Sequence, residues 1–354
     1  MRQQAIEKIC DQVSRPYRKR HGMAVVGYLD CNGLTLHVFR NKSDNTDGML
    51  ESVTLFEIGS VTKTFTAALM CELEIRGQIK LDQPISNLLS GFGNLPDWIT
   101  PHSLATHTSG LPRIPDGMNI ADSSNPYRMI DEAMLREWVQ SRASFAPTTA
   151  KMAYSNLGMG LLGLALGKAT DCSFEEALHR FILAPLGMEN TFLKVPEALK
   201  PQVAQPHGLF GKKVPIWDFD ALAGCGALKS SPLDMAVYAR AVIDACNGKS
   251  GPAMDAIRNA CRMQIKPEKP FEMAMCYGWL CMTEKRTQLP VYHHDGGTGG
   301  SSSTMFVCPG RGFAIFVLAN TQTTIWTSFR QVIADPMGAL SKATALADNG
   351  KTVN

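Results

Sequence analysis

Ser60 and Lys63 stand three residues apart in Phe56-Glu57-Ile58-Gly59-Ser60-Val61-Thr62-Lys63-Thr64-Phe65-Thr66, where an apolar helical pattern begins. Residues at that spacing are neighbours on a helix, so a hydroxyl and an amine share one face. The helix start also directs the Ser60 N–H along the positive end of the helix dipole, where developing negative charge is stabilised. One turn thereby offers a nucleophile, a base and half of an oxyanion hole. The same spacing also serves as a plain helix cap beside a surface lysine, so further elements must decide between the two.

Two do. Tyr154-Ser155-Asn156 lies directly before the glycine-rich apolar run LGMGLLGLALG. A phenol beside an ammonium can relay protons, and a neighbouring Asn can donate to a substrate carbonyl and hold the Lys side chain. His294-Asp295-Gly296-Gly297-Thr298-Gly299-Gly300 precedes the last β-rich hairpin. Its glycines let a ligand lie against a strand edge, with the Gly297 N–H as a second oxyanion donor. Read singly, these are a helix cap and a flexible turn. In this order and with Ser60 and Lys63, they describe acyl transfer through a serine.

Such groups need a frame. MAVVGYLD (Met23 to Asp30) and LTLHVFR (Leu34 to Arg40) are β-rich runs joined by Cys31-Asn32-Gly33, a hairpin signal. SSTMFVC (Ser302 to Cys308), the turn Pro309-Gly310-Arg311-Gly312 and FAIFVLAN (Phe313 to Asn320) form a second pair, with a helical stretch from about Thr324 to Ala345 behind it. Between them, Thr62 to Gly77, Asp131 to Ser141, Asn156 to Thr170, Phe174 to Ala184 and Pro232 to Asn247 carry apolar residues at helical spacing. The expected fold is α/β of the α+β type, an antiparallel sheet from both termini flanked by helices, plus a mainly helical domain. No linker or repeat divides the chain, so residues 1–354 read as one catalytic unit. Residues 1–80 and 285–354 form its sheet part and residues 81–284 its helical part.

The formal net charge of +3 and the single basic run Arg15 to His21 exclude a nucleic-acid surface; that run reads as a solvated helix end. The first residues alternate charge and apolarity like an amphipathic helix and contain no secretory leader, and no segment has the roughly 18 apolar residues of a membrane span. As written the chain is expected in the cytoplasm, or in the periplasm or medium if a leader has been removed. The ten cysteines have no CxxC and no zinc-ligand spacing, so they read as buried free thiols. No metal or organic cofactor is implied, and the expected partner is a small-molecule acyl substrate.

Ser60-x-x-Lys63, Tyr154-x-Asn156 and His294-x-Gly296 together resemble the three signatures of the class C β-lactamase and penicillin-binding-protein-like serine hydrolases, a family that includes DD-peptidases, family VIII esterases and some acyltransferases. Supporting matches run nearly end to end: His21-Gly22-Met23-Ala24-Val25, Gly77 to Pro84, Thr106-His107-Thr108-Ser109-Gly110-Leu111-Pro112, Pro185-Leu186-Gly187-Met188 and Gly226-Ala227-Leu228. The resemblance implies a site in the groove between sheet and helical domain. There Ser60 attacks the acyl carbonyl, Lys63 and Tyr154 handle protons, Asn156 orients Lys63 and the substrate, and the Ser60 and Gly297 amides hold the oxyanion. His107 is implied to be a structural hydrogen-bonder, while His207, His293 and Trp217 read as packing residues.

The sequence departs from the family's β-lactamases at two places. Lys-Thr-Gly is replaced by His294-Asp295-Gly296, and the amide-recognising Gln after Gly-Leu-Pro gives way to Arg113-Ile114. An ionised Asp295 facing the groove would repel a substrate carboxylate ~4 Å away by roughly 4 kcal/mol at an effective dielectric of 20. Turned to the other strand face, it would do nothing of the kind. The sequence therefore points to hydrolysis or transfer of carboxylic esters, thioesters or amides. β-Lactamase or D-amino-acid peptidase activity is the alternative, and a silent binding module is the remote one.

Overall fold

A computed structural model of the chain describes residues 2–18, 20–40, 51–93, 95–116, 124–146, 152–266, 273–284, 287–323, 342–343 and 345–346. Helix α1 (Arg2–Ser14) is followed by strands β1 (Met23–Asp30), β2 (Gly33–Arg40) and β3 (Phe56–Glu57). Helices α2 (Thr62–Ile75), α3 (Pro101–Ala105), α4 (Glu132–Gln140), α5 (Asn156–Ala169), α6 (Phe174–Leu178) and α7 (Ala184–Leu186) come next. The short strands β4 (Thr191–Phe192) and β5 (Lys229–Ser230) lead to α8 (Pro232–Cys246) and α9 (Met254–Ala260). The chain then forms β6 (Ala274–Met275), β7 (Leu280–Thr283), β8 (Pro290–Gly297), β9 (Ser302–Cys308) and β10 (Phe313–Ala319).

The main sheet is antiparallel, in the order β2-β1-β10-β9-β8-β7-β6, so the two chain ends meet at its middle. β1 is buried along its whole length because side chains of alternate residues enter two cores. Ala24, Val26 and Tyr28 meet Ile6, Ile9, Cys10 and Val13 of α1 on one face, while Met23, Val25 and Leu29 join the larger core with α2, α5 and α8 on the other. β3, β5 and β4 make a small separate sheet beside the start of α2. β6 and β7 were not announced by the sequence, and they start the later sheet region near residue 274 where 285 had been expected. The helical expectations hold closely. Asp131 caps α4 by accepting the Met134 N–H at 2.7 Å, and the stretch after Phe174 continues through a wider π turn at His179–Leu183 before Pro185, which has no N–H to donate. The stretch expected from Thr324 to Ala345 lies almost wholly outside the described residues.

The glycines of α5 have a positional purpose. A Cβ at Gly163 would come within 2.9 Å of Gly224 Cα, so this face of α5 admits the backbone of the turn Ala223–Cys225 at close range. α2 fixes the same segment from the other side: Thr66 Oγ1 donates to Gly224 O at 2.8 Å, and Thr62 Oγ1 accepts the Leu228 N–H at 3.1 Å. The Cys225 carbonyl is thereby delivered beside Lys63. Among the described residues no helix is long and apolar enough to cross a membrane.

Candidate active site

Ser60 lies in a tight turn, Gly59–Val61, which runs directly into α2 and leaves the residue half-buried. Lys63, one turn on, is completely buried. A buried ammonium is costly unless its donors are used. Lys63 Nζ spends one on Ser60 Oγ at 2.9 Å and one on Cys225 O at 2.5 Å, and it lies 4.9 Å from the centre of the Tyr154 ring. The nucleophile and its neighbour are therefore within proton-transfer reach.

Tyr154 sits just before α5, half-buried, with His107 and His294 ring centres at 4.5 and 6.4 Å and the Arg113 guanidinium 5.1 Å above its ring. Ser155 caps α5 by accepting the Gly158 N–H at 2.9 Å, which turns Asn156 inward. The expectation that Asn156 orients Lys63 does not hold in this geometry. Its Nδ2 donates to the Tyr127 hydroxyl at 2.7 Å, its buried Oδ1 has no hydrogen-bond partner, and the backbone carbonyl of Cys225 takes the part of holding Lys63.

β8 brings up the remaining groups. A Cβ on Gly59 would fall 2.5 Å from Gly297 N, so the strand end and the Ser60 turn are in direct contact and only glycine fits between them. Gly296 is paired with Ser303 inside the β8–β9 ladder, and Ser303 Oγ donates to Ile58 O at 2.7 Å, tying the ladder to the turn. His294 points to the Tyr154 side. Burial, with the nearby Lys63 charge, pushes its imidazole down to about 3, and Nδ1 lies 2.6 Å from Asp295 O, so at neutral pH it carries no charge.

Asp295 faces the other way. It shares a strand face with His293, whose ring stacks on Phe306 at 4.3 Å in the core beneath α1. Its Oδ1 accepts from Thr304 Oγ1 at 2.5 Å and lies 2.9 Å from His293 Nε2. Burial pulls its carboxyl upward, but the nearby His293 and the hydrogen bonds from His293 and Thr304 outweigh this and hold it below the ordinary carboxylate range. The expectation of a substrate-facing Asp295 is thus corrected, and with it the electrostatic repulsion built on it.

Glu57 is a supporting residue that sequence reasoning quoted but gave no role. Buried behind the Ser60 turn, it accepts from the Trp217 N–H at 2.6 Å, Thr298 Oγ1 at 2.8 Å and Ser301 Oγ at 2.8 Å, fixing the glycine turn after Gly297. Burial raises its carboxyl and lowers the Lys229 amine nearby, each opposed by the other's charge. Its place between Phe56 and Ile58, a charge inside an apolar strand, was the available signal. Trp217 packs against Tyr127 at 5.3 Å, while His207 lies behind the glycine turn, its N–H donating to Gly300 O at 3.0 Å.

With this geometry in place, comparison with known proteins is informative. A family model described as Beta-lactamase matches residues 11–335. A beta-lactamase of Providencia stuartii is 30% identical over 201 residues, 55% of this chain and 49% of that protein, so the chain spans about half its length. A beta-lactamase of Pseudomonas fluorescens is 28% identical over 75% of this chain and 79% of its own. The D-alanyl-D-alanine-carboxypeptidase/endopeptidase AmpH of Escherichia coli (strain K12) is 27% identical over 84% and 78%. A solved class C beta-lactamase has the same fold, with a TM-score of 0.79 at 20% identity over 94% of this chain and 96% of that one. The class is that of the serine hydrolases built on the class C β-lactamase fold. The chain belongs to the beta-lactamase family.

Proposed function

We propose that the protein hydrolyses or transfers the acyl group of small-molecule carboxylic esters, with thioesters and amides as related donors, through an acyl-enzyme on Ser60. The observation that carries the reading is the 2.9 Å contact of Lys63 Nζ with Ser60 Oγ at the start of α2. Ser60 attacks the carbonyl, and its proton passes to the Lys63–Tyr154 pair and on to the leaving group. The N–H groups of Ser60 and Gly297 face the developing oxyanion. A neutral His294 stands where the family's β-lactamases carry a lysine, which supports donors that do not depend on a carboxylate at this strand.

The second reading, a β-lactamase or D-amino-acid peptidase, is favoured by one specific observation: Asp295 turns its carboxylate away from the groove and so opposes no anionic substrate. Comparing kcat/KM on p-nitrophenyl butyrate and nitrocefin separates the two readings, with the ester turned over far better under the first. Ser60→Ala should abolish both activities and labelling by a fluorophosphonate while leaving the fold intact, since the turn keeps its amides and loses only the nucleophile. More than a trace of residual turnover, or labelling elsewhere, removes Ser60 from the mechanism. Intact mass measurements with candidate acceptors present and absent distinguish hydrolysis from transfer.

A further inference from the structure

Arg113 is held at the edge of the groove by its own backbone. Its carbonyl accepts the Asn156 N–H at 2.9 Å and the Leu157 N–H at 3.1 Å, and the carbonyl before it, that of Pro112, accepts the Ser155 hydroxyl at 2.6 Å. These bonds fasten residues 112 and 113 to the first turn of α5, next to Tyr154. The side chain is exposed, yet it does not run out into solvent. Its guanidinium lies 5.1 Å from the centre of the Tyr154 ring, the same ring that Lys63 Nζ approaches to 4.9 Å. One ring therefore separates Arg113 from the amine that holds Ser60 Oγ.

A guanidinium stacked on a ring uses its flat face and keeps its N–H edge for a planar acceptor. Arg18, Arg76, Arg136 and Arg142 also lie over aromatic rings, and each spends that edge on an Asp or Glu of the chain. Among the described residues Arg113 has no such partner. The nearest acid in sequence, Asp116, is taken by Arg142 at 2.5 Å and by the Trp138 indole at 3.1 Å. The carboxylates of the site are committed elsewhere: Asp295 is turned to the α1 face, and Glu57 is closed in behind the Ser60 turn by Trp217, Thr298 and Ser301. On β8, His294 engages Asp295 O through Nδ1, and no lysine stands at this strand position. The groove thus keeps, on its helical side, a fixed cation without an anion.

We propose that Arg113 is a specificity-determining residue that receives a carboxylate of the substrate, so that the acyl donors this enzyme prefers are anionic esters. The inference rests on acylation of Ser60 by esters and names a substrate class for that reaction. A planar carboxylate fits the guanidinium fork through two parallel N–H···O bonds, a match that an ammonium does not reproduce. The Tyr154 ring keeps the fork in place and the bonds to α5 keep its backbone still, so little freedom is lost when the anion binds. Arg113 binds and orients, while bond making stays with Ser60. The same contact serves a carboxylate on the acyl chain or one on the leaving group, and the test has an arm for each.

Wild type, Arg113→Gln and Arg113→Lys are compared on two matched pairs of esters. Mono-p-nitrophenyl adipate against p-nitrophenyl hexanoate reads a carboxylate on the acyl side, and 4-acetoxybenzoate against phenyl acetate reads one on the leaving group. In one pair or the other, wild type should favour the anionic ester, and Arg113→Gln should lower the anionic-to-neutral ratio of kcat/KM roughly 10- to 100-fold, chiefly through KM. The ratio cancels any loss common to both esters, such as one transmitted through Tyr154. Arg113→Lys, which keeps the charge without the fork, should fall between, and added salt should lower the wild-type ratio. A ratio in Arg113→Gln within about twofold of wild type in both pairs overturns the inference while leaving ester acylation of Ser60 standing. Failure of wild type to turn over any of these esters overturns the reading beneath it as well. Should Arg113→Gln fail to fold, Arg113→Lys and the salt response of wild type decide, and a ratio unmoved by both overturns the inference.

Discussion

His107 holds Tyr154 by the backbone on either side of it: the His107 carbonyl accepts the Ala153 N–H at 2.8 Å, and its Nδ1 accepts the Ser155 N–H at 3.2 Å. Accepting at Nδ1 places the ring proton on Nε2. The backbone of His107 is itself left-handed, with φ 59°, a conformation that Asn tolerates better than Ala. His107→Ala should therefore misplace the phenol and lower kcat by roughly 10- to 100-fold, with a stability loss of about 1–3 kcal/mol from the unsatisfied amide. His107→Asn should retain more of both. Steady-state kinetics and urea unfolding of the two variants check this, and equal kinetics for Ala and wild type would remove His107 as a positioning residue.

Lys63→Met and Tyr154→Phe should each slow acylation by ~10²–10⁴-fold, the usual range for positioned proton transfer. Because Lys63 Nζ lies over the Tyr154 ring and beside Ser60 Oγ, the two should act as one unit. The double variant is expected to be little slower than the worse single one. Rapid-mixing measurement of the acylation burst gives the answer, and full multiplicativity would speak for two independent roles.

Asp295→Thr is expected to leave the ratio of kcat/KM between p-nitrophenyl butyrate and nitrocefin within about twofold, because the side chain lies on the α1 face of the sheet. The cost should appear in stability, where the bonds from His293 and Thr304 are altered. A large shift of the ratio toward nitrocefin would mean that the carboxylate reaches the groove after all.

Two buried imidazoles give the stability a pH dependence of definite sign. Burial depresses His107 well below its ordinary 6.5 and, with the Lys63 charge, brings His294 down to about 3. Both stay neutral in the folded protein while the unfolded chain takes up protons below about 6.5. Their contribution is complete above that pH and is lost as the pH falls through the acid range, for His294 down to about 3, at up to about 1.4 kcal/mol per pH unit for each group. Urea midpoints at pH 7, 5.5 and 4.5 should fall accordingly, and His294→Asn should flatten the slope. A midpoint independent of pH in wild type would contradict the buried neutral state.

The parts of the site that were legible in the sequence are those that local geometry fixes. Ser60 and Lys63 share a helix face by spacing, and Asn156 opens a helix whose cap, Ser155, is next to it. What the sequence could not show depended on contacts between distant segments. Period-two alternation says that His294 and Asp295 face opposite ways, but only the packing of Phe306 against His293 says which way each goes. The carbonyl that holds Lys63 belongs to Cys225, and a backbone atom leaves no mark in residue types. Tyr127 as the partner of Asn156 is likewise invisible until the chain is folded. β6 escaped notice because two residues carry no pattern.

The placement of β1 against β10 has a consequence for how the protein comes into being. Ser60 and Lys63 are made well before Gly297 and before β10, the strand against which β1 must close. A chain synthesised only that far therefore holds its nucleophile without an oxyanion partner, and the β1–β2 hairpin exposes an unpaired edge along β1 until β10 has been made. Pairing across such a separation has a high entropic barrier, so acquisition of activity should lag behind synthesis of the chain. During that interval the growing polypeptide is vulnerable to association with other chains and is a natural client for chaperones.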